Sequence, residues 1–158
     1  KNIIIWSNGF AMELDEERFD AIIKKLRDSG HRITPQRMAI VRILATSEDH
    51  PSVENIYARM KKDYPTVSLA TVYKNILLLK SIGEVAELAF PDGSNRYDGR
   101  KPTPHLHVIC IRCKKIVDAD VDNLDEMAKK IEVETGYKII DQRFEFFGIC
   151  RRCMNNKV

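Results

Sequence analysis

The chain has 158 residues, and no apolar run in it approaches the about 20 residues that a membrane-spanning helix needs. That argues against an integral membrane protein. The apolar stretch Ile3–Trp6 is too short for the core of a secretory signal. Cysteine is scarce: there are four, and none precedes position 110. With no secretory signal in view, disulfides are not expected of them, and their spacing matters more than their number. Charge of one sign is also missing. With 26 Lys and Arg against 23 Asp and Glu the net charge is +3, too little to identify a nucleic-acid binder by itself. No segment is low in complexity, and the only internal repeat is a pair of Cys-x-x-Cys motifs. What is present is a 44% apolar fraction, enough to bury a core and to exclude global disorder.

The elements fall into two groups. Residues 1–11 read as an extension of uncertain origin or as an arm packed on the body, with Met12 opening an acidic stretch. Residues 14–28 read as a helix, with Leu14, Phe19, Ile22, Ile23 and Leu26 at helical spacing and Ser29-Gly30 as its stop. Thr34 caps a second helix that Pro35 opens, with Ile40, Val41 and Leu44 as its buried stripe. Ser52 caps a third helix over 53–62, with Val53, Ile56, Tyr57 and Met60 inward. Ser68 caps a fourth, ended by Gly83, with Leu69, Val72, Ile76 and Leu79 as one stripe and Ala70, Thr71, Lys74 and Leu78 facing away. Strands 84–90 and 94–98 then flank Pro91-Asp92-Gly93-Ser94, a turn sequence. Helices followed by a hairpin are the order of a winged helix-turn-helix, predicted over residues 12–98. Residues 99–104, with a glycine and two prolines, read as a hinge.

Residues 105–158 read as a separate α/β module. Strands at 106–111 and 116–120 surround the first Cys-x-x-Cys, Asp122 caps a helix ended by Gly136, and 137–149 alternates as a long strand. The fold class is therefore α+β: a winged-helix domain followed by an α/β domain.

Three constellations carry chemistry. Cys110-x-x-Cys113 and Cys150-x-x-Cys153 together supply four thiolates, the donor set of a closed structural zinc site. Four buried thiols are the bland alternative. His105-x-His107 puts two imidazoles on one face of a strand, with Asp98 upstream and Asp118 downstream. Two imidazoles and two carboxylates suit Fe(II), Mn(II) or Zn(II), although a solvated strand pair has the same spacing. Thirdly, Thr71, Tyr73 and Lys74 lie on the fourth helix, with Arg32 ahead of the second and Arg37 in its first turn. On a winged helix these suit phosphate contact and base reading; elsewhere they are an ordinary polar face. A catalytic zinc on Asp98, His105 and His107 lacks a separate general base, so no catalytic residue is assigned and the chain does not read as an enzyme. A zinc-stabilised dimerisation scaffold without DNA binding is a further alternative.

The motifs Arg32-Ile33-Thr34-Pro35-Gln36-Arg37, Ser68-Leu69-Ala70-Thr71-Val72-Tyr73-Lys74-Asn75, His105-Leu106-His107-Val108-Ile109-Cys110-Ile111-Arg112-Cys113 and Cys150-Arg151-Arg152-Cys153 resemble those of the ferric uptake regulator (Fur) superfamily. The likeness runs from about residue 14 to 153. Asp at positions 98 and 118 is similar to the peroxide-sensing (PerR) branch, since iron-sensing members more often carry Glu at the matching places.

The resemblance implies a cytoplasmic homodimeric repressor of peroxide- or metal-stress genes on a pseudo-palindromic operator. It implies one structural zinc per subunit on the four cysteines. It also implies a regulatory Fe(II) or Mn(II) on Asp98, His105, His107 and Asp118 that sets the angle of the DNA-binding arms. In the peroxide-sensing branch, oxidation of a ligand histidine releases DNA, and His105 matches one such histidine. Tyr73 would be the main base-reading side chain, beside Thr71 and Lys74, with Arg32 and Arg37 on phosphate or in the minor groove. The chain departs from the pattern at Met38, where the family places a histidine ligand. A neutral thioether is a poor substitute at Fe(II) or Mn(II). The alternative implied is a member with a degraded regulatory site that binds DNA without metal or senses another signal.

The small net charge conceals its distribution. Residues 29–83 carry 8 basic and 4 acidic side chains, whereas 84–98 carry 1 and 4. The positive excess gathers on the helices that a winged fold would present to phosphate.

Overall fold

The computed structural model describes residues 4–7, 10–13, 16–90, 93–101, 105–119 and 121–155. The chain divides into two compact units, residues 1–102 and 103–158.

In the first unit, β1 (Ile4–Ser7) pairs antiparallel with β2 (Phe10–Glu13), a hairpin within the stretch read as an extension or a packed arm. Helix α1 (Glu16–Asp28) follows; Leu14 lies outside the described residues. Helix α2 (Pro35–Thr46) starts as its sequence dictates: the Thr34 side chain accepts from the Arg37 N–H at 3.2 Å, and Pro35 needs no partner for a missing donor. Helix α3 (Val53–Met60) opens with a capping box between Ser52 and Asn55. Helix α4 (Leu69–Ser81) is capped by Ser68, whose hydroxyl accepts from the Thr71 N–H at 3.1 Å. Strands β3 (Ala86–Leu88) and β4 (Arg96–Asp98) then pair antiparallel, shorter than the expected strands. The expected turn residues Pro91 and Asp92 lie outside the described residues.

One core unites the four helices. Ile22 and Leu26 of α1, Ile40 and Leu44 of α2, Ile56 and Met60 of α3, and Val72, Ile76 and Leu79 of α4 are all buried. Each such side chain contributes about 1.5–3 kcal/mol on burial. The stripe expected on α4 needs two corrections: Leu69 is 43% exposed although Val72, one turn on, is fully buried, and Leu78, expected to face away, packs against the core. Leu69, Tyr73 and Leu77 instead form an exposed row.

The second unit is a three-stranded sheet of order β6-β5-β7. Strand β5 (Leu106–Cys110) pairs antiparallel with β6 (Ile116–Ala119) and parallel with β7 (Phe144–Gly148). The crossover is α5 (Leu124–Thr135), and a short α6 (Arg151–Asn155) ends the described chain. Two expectations fail here. Asp122 is not the cap of α5: Asn123 holds that place in a left-handed conformation without a side-chain bond. Of the long strand expected over 137–149, only Phe144–Gly148 finds a ladder partner on β5. Alternation alone cannot make a strand where no neighbour offers its backbone.

One face of this sheet is apolar and bare. Val108, Val117 and Phe146 stand in register across the three strands, and all are exposed. Helix α5 has no buried residue, with Met127 and Ile131 open to solvent.

Candidate metal centres and nucleic-acid interface

The four cysteines converge in the second unit. Cys110 ends β5, Cys113 lies in the turn after it, Cys150 follows β7, and Cys153 lies on α6. Parallel pairing of β7 with β5 returns the second motif to the first, and the Ile111 N–H donates to Gly148 O at 2.9 Å. All four Sγ atoms lie within 4.8 Å of one another. The Cys113 and Cys150 Sγ atoms are 3.7 Å apart. A tetrahedron of sulfurs at about 2.3 Å from zinc has edges of roughly 3.8 Å, so the group fits that ion. The thiols are free rather than paired in disulfides.

Their acidities diverge in the way a shared site imposes. Backbone N–H groups of Cys113 and Cys150 hold the Cys110 thiol down to about 6, and the Cys150 N–H stands 3.3 Å from Cys110 Sγ. Hydrogen bonds to Cys113 and Cys150 push Cys153 up to about 12. A divalent cation bound there requires all four as thiolates, so its capture releases protons.

His107 on β5 and His105 just ahead of it lie side by side. Antiparallel register sets Asp118 of β6 opposite His107. Asp118 Oδ1 lies 3.6 Å from His105 Nε2 and 3.7 Å from His107 Nε2, and the two rings are 4.2 Å apart between centroids. Two donors each about 2.1 Å from one ion stand at most about 4.2 Å apart, so three of the expected ligands are spaced to share a cation.

The fourth expected ligand, Asp98, ends β4 in the first unit and is 3% exposed. Its Oδ1 accepts the N–H groups of Arg100 and Lys101 at 2.8 and 3.2 Å. Its Oδ2 faces His50 Nε2 at 3.8 Å, within the same spacing limit. His50 was missed in the sequence. It is 2% exposed and takes a left-handed backbone, φ 47°, just ahead of the Ser52 cap. That conformation is uncommon outside glycine and marks a position held by its surroundings. The pattern His50-Pro51-Ser52 before a capping box was the available signal, but a lone histidine in a loop carries no periodicity to flag it.

Met38 is on α2 and 37% exposed, as expected of an ordinary surface helix residue.

The candidate DNA-facing residues lie on α4, ahead of α2 (Arg32) and in the first turn of α2 (Arg37). Tyr73 is 48% exposed and Lys74 also faces solvent. Thr71 is partly engaged, with its hydroxyl 2.8 Å from that of Ser68. Arg32 is exposed. Arg37 is committed within the fold: Nε donates to Asn75 Oδ1 at 2.8 Å, and Nη1 donates to Arg32 O. It fastens α2 to α4, and Asn75 in turn donates to Thr71 O at 2.8 Å.

The family described as "Ferric uptake regulator family" matches residues 28–147. A relative named "Peroxide-responsive repressor PerR", from Staphylococcus aureus (strain USA300), is 38% identical over 144 residues, which is 91% of this chain and 97% of that protein. The structure resembles that of the Helicobacter pylori ferric uptake regulator Fur, described as having three functional metal binding sites (TM-score 0.75, 21% identity, 90% of this chain and 95% of that one). It also resembles PerR from Streptococcus pyogenes, described in terms of peroxide sensing and gene regulation (TM-score 0.51, 34% identity, 86% and 92%).

Proposed function

The chain belongs to the ferric uptake regulator family, and on that premise we propose that it is a metal-dependent, DNA-binding transcriptional repressor that responds to peroxide. The observation that carries this reading is the position of Asp98. A buried carboxylate beside His50 ends the second strand of the wing, so a candidate metal ligand is built into the DNA-reading unit itself.

The roles follow from chemistry. Cys110, Cys113, Cys150 and Cys153 hold a structural zinc with no open position. Asp98, His105, His107 and Asp118 are the proposed ligands of a regulatory Fe(II) or Mn(II), and His50, beside Asp98 in the first unit, is a further candidate donor. Hard carboxylates and borderline imidazoles select such ions over soft ones. When bound, Fe(II) supplies the reductant for hydrogen peroxide. His105 holds an Nε2 close to Asp118 and is the side chain we assign to take up oxygen. Tyr73, Thr71 and Lys74 enter the major groove of a pseudo-palindromic operator, and Arg32 contacts phosphate. Arg37 serves chiefly to set α4 on α2.

The bare row Val108, Val117 and Phe146, with the open face of α5, suits a second copy of the chain and gives the two-fold axis that a palindrome needs. A DNA-bound repressor works in the cytoplasm; no helix among the described residues is long and apolar enough to cross a membrane.

Band shifts with and without Mn(II), repeated on Fe(II)-loaded protein after peroxide, test the reading. Expected are tighter DNA binding with Mn(II), release after peroxide, and one oxygen added on the His105 peptide. Equal DNA affinity with and without metal would instead favour the second reading, a member that no longer uses its regulatory ion, for which Met38 speaks. Oxidation at Met38 with His105 intact would move the sensing residue to the methionine.

A further inference from the structure

Arg18, on α1, belongs to none of the groups above. Its side chain is 11% exposed. Nη1 donates to Glu84 Oε2 at 2.6 Å, Nη2 to Glu84 O at 2.8 Å, and Nε to Gly99 O at 2.8 Å. Both acceptor residues flank the wing. Glu84 follows the turn that closes α4, its N–H donating to Leu79 O at 2.9 Å, and β3 begins two residues later. Gly99 follows Asp98, the residue that pairs with Ala86 at the foot of the hairpin. One guanidinium therefore spans both open ends of the wing and the exit of α4. Its planar fork donates from three separate nitrogens to three separated acceptors, whereas an ammonium has its donors on a single nitrogen and cannot span them.

The backbone after Asp98 is held from other sides as well. Arg100 pairs with Glu48 at 2.6 Å. A Cβ on Gly99 would stand 2.7 Å from Leu44 Cβ, so the absence of a side chain lets this segment lie against α2. Asp98 accordingly cannot shift without carrying Gly99, Arg18 and Glu84 with it.

Taking Asp98 as a ligand of the regulatory ion, which rests on the function proposed above, we infer that Arg18 is the positioning residue that couples capture of the ion at Asp98 to the setting of the wing and α4. It touches neither the ion nor DNA. It makes the foot of the hairpin and the end of the recognition helix move as one body with the ligand.

The test uses the zinc-loaded full chain and an operator fragment selected from a random duplex library by the Mn(II)-loaded wild type. In the wild type, Mn(II) raises affinity for this fragment by about 10- to 100-fold, within the usual range of allosteric coupling. Arg18→Lys keeps the charge opposite Glu84, so zinc content, dimerisation and metal-free DNA affinity stay as in the wild type. Its Mn(II)-dependent gain falls below about 3-fold, and Mn(II) affinity of the DNA-free protein, read by electron paramagnetic resonance, falls with it. A purely structural arginine would be rescued by lysine in both readouts, and that result overturns the inference. If Arg18→Lys does not fold, the double variant Arg18→Gln with Glu84→Gln removes the pair without leaving a buried charge, and the same two readouts decide. A wild type that gains nothing from Mn(II) defeats the function proposed above. Mn(II) affinity that is the same in DNA-free wild type and variant defeats the inference alone.

Discussion

His50 Nε2 lies 3.8 Å from Asp98 Oδ2, and both residues are almost wholly buried. They come from a loop ahead of α3 and from the last residue of the wing, 48 positions apart in the chain. The pairing gives the winged-helix unit a candidate imidazole donor, although Met38 stands where the family motif puts a histidine on α2.

The expected metal content of the purified protein is therefore two ions per subunit, zinc and one other, when cells are rich in manganese or iron. Met38→His leaves that count unchanged. His50→Ala lowers Mn(II) affinity by about 10- to 100-fold while zinc stays bound. Inductively coupled plasma mass spectrometry and Mn(II) titration read both. A second ion that appears only in the Met38→His protein would make Met38, not His50, the decisive position.

Removing one thiolate from the cysteine group dismantles the second unit. Cys110→Ser or Cys153→Ser loses zinc, and with it much of the about 10–16 kcal/mol that such sites supply to folding. Cooperative melting of the sheet signal and dimerisation, followed by circular dichroism and sedimentation, should both be lost. Strong chelators should reproduce the effect on the wild type.

Glu87 carries a pH dependence of known sign. Burial pushes its carboxyl up, but Lys80, Tyr97 and Asn95 together outweigh this and hold it below 4.5. Tyr97 donates to it at 3.1 Å and Asn95 at 2.8 Å. A carboxyl depressed in the folded state stabilises above its unfolded value, and the contribution disappears as pH falls through the folded value. Glu87→Gln should cost about 1 kcal/mol at pH 7 in urea unfolding, and the difference should shrink steadily below pH 4.5. A difference independent of pH would show that packing, not charge, matters at this site.

On DNA, Tyr73→Ala should weaken operator binding by about 1–3 kcal/mol without changing zinc content or dimerisation. Lys74→Ala should weaken all sequences alike and lower the salt slope by about 1 per subunit. Fluorescence anisotropy over a salt series separates the two. An unchanged affinity for Tyr73→Ala would leave the chain a dimerisation scaffold without base reading.

Local signals are what the sequence made legible. Thr34, Ser52 and Ser68 announced three helix starts because a side-chain oxygen meets an N–H only three residues on. The two Cys-x-x-Cys pairs and His105-x-His107 were readable for the same reason: their geometry is set by neighbours in the chain. Errors arose where a distant partner decides. Leu69 is exposed although Val72 beside it is buried, because the packing of the other helices decides which edge of the stripe is covered. Residues 137–143 stayed outside any strand because nothing offers them a ladder.

By itself, then, the amino-acid sequence determined the family, the helix caps, the thiolate set and the basic character of residues 29–83. Only tertiary structure decided which residues of distant segments meet. It brought His50 to Asp98, turned Arg37 inward to Asn75, and set Arg18 across the foot of the wing. Such encounters depend on the packing of a whole domain around one core, and no short stretch of chain encodes that packing.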